Sequence, residues 1–450
     1  MAQTYLTKTN PTGGNRTKGT VSVWIKRSGL SSYQNIYTEL SNTDNFGGIR
    51  FNSDDTLGVF SYDSGSAQMS IITARKFRDT NGWYHIVVAW DTTDGTSTDR
   101  IKIYVNGVRE TSFDGSPTYP SSSQSIYFGV GGSNYPIVIG RRGDNAEYFD
   151  GSMSHFHRVD NQALAQTVFG STDSTTGEWK INTNPSITYT GSSDFNFFIL
   201  KDGNSVTDQS GQSNNLTVGY GTLTKTEDCP SSVFATWNAL DNRNASTMSN
   251  GNTKITTVSG NYSPNTSTLR TTLGKWYWEV KLAQDTNTGA NEVDMVGINN
   301  NSVQSATTNP NSIGINYRGN GRVWNYGGTS ETPVGDYATF STGDIIMVAM
   351  DLSDSTTGKL YFGKNGTWGN SGNPVTGANS YDFTKGTEAW GAMVTCYSSS
   401  SSAIFEANFG NGYFGTTAVS SAGTNASNNG IFEYDVPTGY TALSTKGLNL

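Results

Sequence analysis

One pattern occurs twice in this chain and restricts what it can become. In residues 343–368, GDIIMVAMDLSDSTTGKLYFGKNGTW, Ile345, Met347 and Ala349 alternate with Ile346, Val348 and Met350, so both faces of an extended segment are apolar. A strand apolar on both faces is one that is covered on both. A loop of Ser, Thr, Asp and Gly follows, after which Leu360 and Phe362 alternate with Lys359, Tyr361 and Lys364. Asn365-Gly366 then supplies the positive φ of a type I′ hairpin turn. The earlier occurrence reads Val88-Ala89-Trp90-Asp91, an Asp/Thr/Gly loop, Ile101-Lys102-Ile103-Tyr104-Val105, and Asn106-Gly107. From Asp to Asn is 15 positions (91 to 106) in one copy and 14 (351 to 365) in the other. The repeat predicts an all-β chain of two antiparallel jelly-roll-type β-sandwiches in tandem, a binding or structural protein before an enzyme.

The length of 450 residues allows two or three domains, each with its own core. The 52 glycines, with abundant Ser, Thr and Asn, belong in the turns between many short strands. A formal charge of −8 without any Lys/Arg run argues against nucleic acid, which is held by clustered cations, and against anionic lipid. No segment approaches the ~18 apolar residues of a membrane span. The first residues, MAQTYLTKTNPTGGNRT, lack a hydrophobic signal core, so Sec-type export is not expected. Cys229 and Cys396 form no metal spacing and are read as free, partly buried thiols.

Along the chain, residues 20–26 (TVSVWIK), 49–51, 57–62, 82–90, 125–128, 136–140 and 148–153 read as strands, and residues 162–169 (QALAQTVF) as a short helix. GTVSVWIKR, GWYHIVVAWD, IKIYVNGV and IVIGRRGDNAEYFDGSMSHFHRVDNQALAQTVFG resemble the laminin G-like, concanavalin A-type lectin/glucanase fold over about residues 12–180. They are most like domains in fibre and other virion proteins of marine bacteriophages. Further on, GKWYWEVKL, a Gly-Asp before an apolar strand, Phe362-Gly363-Lys364-Asn365-Gly366 and Asn408-Phe409-Gly410 come in the order of a SPRY domain. The segment 208–216 and the end of the chain, FEYDVPTGYTALSTKGLNL, are also similar to the phage proteins. The expected division is residues 1–180, a bridge at 181–234, a SPRY-like sandwich at 235–412, and a strand and tail at 413–450.

Candidate chemistry is sparse. Enzymes on this fold carry E-x-D-x-x-E or E-x-D-x-E on one strand, because retaining glycosidases need a nucleophile and an acid/base. Glu292-Val293-Asp294-Met295-Val296-Gly297 begins that way, but Val296 and Gly297 stand where the second Glu belongs. His85 reads as a packed residue, and His155 and His157 share a strand face with no third metal ligand in view. Asp91, Asp94 and Asp99 offer oxygen ligands for Ca²⁺, with a solvated loop as the alternative. The loops are rich in Tyr, Ser, Gly and Asn, residues that give binding loops rigid aromatic area and adaptable hydrogen bonds. Tyr62, Tyr119, Tyr135 and Tyr148 in the first half, and Trp324, Tyr326 and Trp368 in the second, are the ligand-binding candidates, with packing the alternative at each. The SPRY resemblance implies a partner-docking loop at residues 317–328.

Together these imply a non-enzymatic phage virion component: a tail fibre, an appendage or a capsid-surface decoration. Its expected place is the virion surface, after assembly in a host cytoplasm. Its partners would be a host cell-surface glycan or protein and other virion proteins, in a homo-oligomer for which a trimer is the guess, without nucleic acid or membrane insertion. The alternatives are a cellular carbohydrate-binding lectin or adhesin, and a glycan depolymerase.

Overall fold

The repeated pattern folds twice into the same arrangement. In the computed structural model, Tyr84–Asp91 pairs antiparallel with Ile101–Val105, and Ile345–Asp351 with Thr357–Lys364. Both turns have the positive φ values of type I′: 47° and 79° at Asn106 and Gly107, 48° and 87° at Asn365 and Gly366. Each Asn side chain accepts a hydrogen bond from the neighbouring strand, Asn106 Oδ1 from the His85 N–H (2.7 Å) and Asn365 Oδ1 from the Ile345 N–H (2.8 Å). At the other end a lysine closes each pattern, Lys18 on Asp91 (2.7 Å) and Lys275 on Asp351 (3.0 Å).

The chain divides into two compact units, Met1–Lys225 and Thr226–Leu450. The structure describes residues 3–201, 203, 206–260, 262–286, 294–300, 314–324, 337–398 and 400–449. The first unit carries β1 (Tyr5–Lys8), β2 (Lys18–Arg27), β3 (Gln34–Asn42), β4 (Asn45–Phe51), β5 (Thr56–Asp63), β6 (Ser66–Lys76) and β7 (Tyr84–Asp91). It continues with β8 (Ile101–Val105), β9 (Val108–Arg109), β10 (Ile137–Ile139), β11 (Gly151–Asp160), β12 (Gly170–Thr172), β13 (Trp179–Ile181), β14 (Phe197–Ile199) and β15 (Thr217–Tyr220). A seven-stranded sheet, β15-β1-β10-β3-β4-β5-β6, faces a six-stranded one, β14-β11-β2-β7-β8-β9. The core lies between them: Val21, Val23, Ile25, Ile86, Val88 and Trp90 from one sheet meet Tyr37, Ile49, Phe51, Leu57, Val59, Met69 and Ile71 from the other. Because side chains alternate along a strand, residues of the opposite parity point away from that core.

The second unit carries β16 (Trp237–Asn242), β17 (Thr247–Ser249), β18 (Lys254–Thr256), β19 (Asn265–Ser267), β20 (Lys275–Gln284), β21 (Met295–Asn299), β22 (Ile315–Arg318) and β23 (Val323–Trp324). β24 (Ile345–Asp351), β25 (Thr357–Lys364), β26 (Thr367–Trp368), β27 (Tyr381–Thr384), β28 (Gly391–Thr395), β29 (Ile404–Asn408), β30 (Tyr413–Phe414), β31 (Thr417–Ala418) and β32 (Thr441–Ala442) complete it. One sheet runs β16-β19-β28-β21-β22-β23 and the other β17-β18-β29-β20-β24-β25-β26, with β27 on β25 and β32 on β20. Trp278, Val280, Ile346 and Val348 pack against Val296, Ile298, Tyr317 and Val394. The fold is therefore all-β, with two antiparallel sandwiches in tandem.

Several expected boundaries move. Residues 181–225 are part of the first sandwich, because β14 pairs with β11 and β15 with β1, giving each sheet an edge strand. Residues 413–450 belong to the second, where β32 runs parallel to β20 and the Glu279 carboxylate accepts the Glu433 and Tyr434 N–H groups (both 2.9 Å). The expected helix at 162–169 is one 3₁₀ turn, Gln166–Val168. The Thr20 hydroxyl holds the residues before it extended, donating to the Gln162 carbonyl (2.7 Å) and accepting from the Leu164 N–H (2.8 Å). Residues 125–128 enter no ladder; they fill the core with Ile126 and Phe128 while the Tyr127 N–H donates to Ser61 Oγ (2.9 Å).

Candidate functional site

The outward side of the seven-stranded sheet brings aromatic, cationic and amide side chains into one strip. Cross-strand register pairs Phe46 of β4 with Tyr62 of β5, and their rings stack at 5.0 Å. Phe60, two residues before Tyr62, packs beside it (6.5 Å) and is itself buried. The Arg50 guanidinium then lies 4.7 Å from both the Phe60 ring and the Tyr33 ring, and Tyr33 is 44% exposed. Cation–π contact of this kind holds a charged plane flat along an aromatic surface.

Beyond Arg50 the strip is polar. The Glu147 carboxylate accepts from Asn35 Nδ2 (2.7 Å), Arg50 Nη1 (3.4 Å) and Arg142 Nη1 (2.6 Å). Arg142 also grips Asp144 through Nε (2.7 Å) and Nη2 (2.8 Å), which holds that carboxyl below its ordinary range. Past Glu147 stand Tyr148 and Tyr5, with ring centroids 6.5 Å apart, and the Arg141 guanidinium 3.7 Å over the Tyr5 ring. Thr38 Oγ1 lies between Asn35 Oδ1 (3.1 Å) and the Arg141 carbonyl (3.3 Å), its single proton shared between these two acceptors. An aromatic shelf beside fixed donors and acceptors is the arrangement that holds a polyhydroxylated ring.

Of the aromatic candidates, Tyr62 and Tyr148 lie on this strip. Tyr135 sits beside Tyr127 (5.6 Å), whose hydroxyl donates to Asp63 Oδ1 (3.0 Å) and whose pKa burial and that carboxylate push up to about 12. Tyr119 packs against the core of the first unit, and Trp368 against Tyr277 and Tyr361 edge-on, so both are packing residues. Trp324 lies under the Arg318 guanidinium (4.7 Å), and Tyr326 falls outside the described residues. Within the expected loop 317–328, Tyr317 is a core residue whose hydroxyl donates to the Ala338 carbonyl, and residues 325–328 are not described. Tyr33, Asn35, Phe46, Arg50, Arg141 and Glu147 escaped the sequence reading. Parity in β4 could have found two of them, since placing Ile49 and Phe51 inward turns Phe46 and Arg50 outward.

The three aspartates do not form the Ca²⁺ site. Asp91 is held by Lys18 and by the Thr93 N–H and hydroxyl, Asp94 caps the Thr96 N–H (2.9 Å), and Asp99 pairs with Arg109 (2.6 Å). Among the described residues no group of three His, Cys, Asp or Glu side chains is placed to hold a metal. Of the glycosidase-like stretch, Glu292 and Val293 lie outside the described residues, and Asp294 Oδ2 accepts from the Thr286 N–H (2.9 Å). Both cysteines are free thiols; that of Cys396 donates to Thr257 Oγ1 (2.9 Å) and is pushed up to about 11 by burial.

All three histidines lie on the outward side of the six-stranded sheet of the first unit. Trp24 stacks on His85 at 4.7 Å, while Trp179 Nε1–H donates to His85 Nδ1 (2.9 Å) and Ser22 Oγ meets Nε2 (2.9 Å). Nδ1 must therefore be bare, and burial, aided by the neighbouring His155, pulls the pKa down to about 3. His157 stacks on Phe198 at 3.8 Å and shares a hydrogen bond with Tyr189 (2.8 Å). A bulge between Ser154 and His157 inserts one residue, and His155 at φ 48° falls within it, so regular strand spacing does not relate His155 to His157. These are cemented packing residues rather than a site open to substrate.

A family described as the concanavalin A-like lectin/glucanases superfamily (laminin G type) matches residues 2–168. No curated protein matches the chain. Solved structures similar to it include the SPRY domain of human HERC1, at 20% identity over 38% of this chain and 96% of that one, TM-score 0.30. Domains LG4-5 of the mouse laminin alpha1 chain are similar at 9% identity over 89% of this chain and 86% of that one, TM-score 0.27. The heptameric SAP-like pentraxin of Limulus polyphemus is similar at 19% identity over 36% of this chain and 72% of that one, TM-score 0.27.

Proposed function

We propose that this chain is a non-enzymatic recognition protein of a bacteriophage particle, a fibre, appendage or capsid-surface subunit, whose first sandwich contacts host-surface glycans. The observation that carries the binding role is the strip from Tyr62 and Phe46 through Arg50 to Tyr148. Its rings can stack on sugar faces, and Asn35, Arg50 and Glu147 are locked beside them by mutual hydrogen bonds. The lectin-type family match at residues 2–168 supports the same reading.

The acids on this face suit holding rather than proton transfer. Glu147 and Asp144 are both ion-paired to Arg142, whereas a glycosidase acid must carry a proton at working pH. The virion assignment rests on the resemblance of the sequence blocks quoted above to phage fibre proteins, and a homo-oligomer, with a trimer as the first expectation, belongs to that proposal. A cellular lectin would use the same strip, and detection of the chain in purified particles separates the two readings. The test of binding is a glycan array probed with the full chain and with Phe46→Ala and Tyr62→Ala. The parent should bind a set of glycans, and loss of one stacked ring, worth about 0.5–1.5 kcal/mol, should weaken each by roughly 2- to 13-fold. Undiminished binding by both variants would remove the strip from the account, and reducing sugar released from a bound glycan would make the chain an enzyme.

A further inference from the structure

Arg141 differs from the other enclosed arginines of the first unit. Arg27 leaves Nε and Nη2 unmet but bonds Asp55 (3.1 Å) and the Phe77 carbonyl (2.6 Å), and Arg158 leaves Nη2 unmet but bonds the Val159 carbonyl (2.9 Å) and the Tyr37 hydroxyl (3.4 Å), so each is anchored by oxygen acceptors. Arg141 is also buried, at 7% exposure, yet its Nε and Nη1 find no acceptor. What holds its guanidinium is the Tyr5 ring, 3.7 Å beneath it. Asp144 is near enough to feel its charge, but both carboxylate oxygens of Asp144 are taken by Arg142. A buried guanidinium retains strong hydrogen-bonding demand, and here the chain itself leaves it unmet.

The surroundings favour an anion. Three arginines (50, 141 and 142) against two carboxylates (Asp144 and Glu147) leave this end of the strip with a charge of 3 − 2 = +1, and both carboxylates are already paired. The Tyr5 and Tyr148 rings stand beside the unfilled donors, so an anionic group attached to a sugar ring could meet both features at once. A planar guanidinium matches a planar carboxylate best.

We propose that Arg141 is the anion-recognition point of this face and that the glycans it takes are acidic, carrying a carboxylate as uronic or sialic acids do. The inference rests on the recognition reading above and adds its ligand class. The test probes the full chain, Arg141→Gln and Arg141→Lys on an array that pairs uronic- and sialic-acid glycans with their carboxyl-reduced neutral counterparts, with sulfated glycans as a further arm. The parent should favour carboxylated glycans by about tenfold, the scale of one charge-assisted hydrogen bond. Arg141→Gln should bring those glycans down to the level of their neutral partners, and Arg141→Lys should recover part of the preference. Arg141→Gln loses only the cation–π contact with Tyr5, so the melting transition of the first unit should fall by a few degrees at most; an arginine that served the fold alone would lower it further without changing the preference for acidic glycans. Equal binding of acidic and reduced glycans by the parent, a preference that survives Arg141→Gln, or a preference for sulfate over carboxylate would overturn the inference while leaving glycan recognition standing. Silence across all arms would overturn both.

Discussion

Acid should move the two units in opposite directions. In the first, His85 is neutral in the fold because it is buried and because Trp179 Nε1–H already occupies Nδ1; its folded pKa of about 3 lies below the usual ~6.5 of an unfolded histidine. A depressed histidine stabilises fully above its unfolded pKa and loses that contribution as pH falls. From pH 7.5 to pH 5 the loss is about 1.5 × 1.36, or ~2 kcal/mol, from His85 alone. His157, also held down by burial, adds in the same direction. In the second unit, burial pushes Glu279 up to about 7 despite donors from Tyr277, Asn408, Glu433 and Tyr434. A raised acid stabilises fully below its unfolded value and loses that as pH rises through 7, so between pH 5 and 7.5 the second unit loses about 2 kcal/mol. For units of this size, ~2 kcal/mol is about 4–8 °C in Tm. Calorimetry of the full chain at pH 7.5, 6 and 5 should show one transition falling and the other rising on acidification. His85→Gln should reduce the first response, leaving the part due to His157, and Glu279→Gln should flatten the second. Transitions that move together, or an acid shift undiminished in His85→Gln, would refute the reasoning.

Three smaller tests follow from local geometry. A Cβ on Gly47 would sit 2.0 Å from the Tyr127 carbonyl oxygen, so Gly47→Ala should cost about 1–3 kcal/mol in urea unfolding, more than Gly48→Ala, whose nearest contact is 3.3 Å. Asn365→Ala puts at φ 48° a residue that tolerates the left-handed region less well than asparagine and loses the bond to the Ile345 N–H, and should destabilise the second unit by about 1–2 kcal/mol in the same assay. Because Lys18 and Arg109 occupy Asp91 and Asp99, chelation by EDTA or addition of Ca²⁺ should leave both melting transitions where they are; a rise with Ca²⁺ would restore the loop site.

The hairpins were legible because their signals are local: an Asn-Gly pair with positive φ, and strands such as 345–350 whose apolar residues need cover on both faces. The edge strands were not. β15 is exposed along its length and β14 spans three residues, so neither shows the periodicity that marks a half-buried strand, and the first unit was expected to end 45 residues early (225 − 180). The Ca²⁺ reading failed because spacing reports which carboxylates share a loop but not which lysine or arginine reaches them from another strand. The strip was half seen for a related reason. Tyr62 and Tyr148 stand out as loop-edge aromatics, while Arg50 and Glu147 acquire meaning only when strands distant in sequence set them side by side.

Hydroxyl-radical footprinting of the full chain, with and without a glycan selected on the array, tests the central claim most directly, because aromatic side chains report their own exposure. The account predicts that the ligand shields Tyr33, Phe46, Tyr62 and Tyr148 while aromatic residues of the second unit keep their rates. Shielding confined to the second unit, or to the 92–100 loop with the strip unprotected, would contradict it.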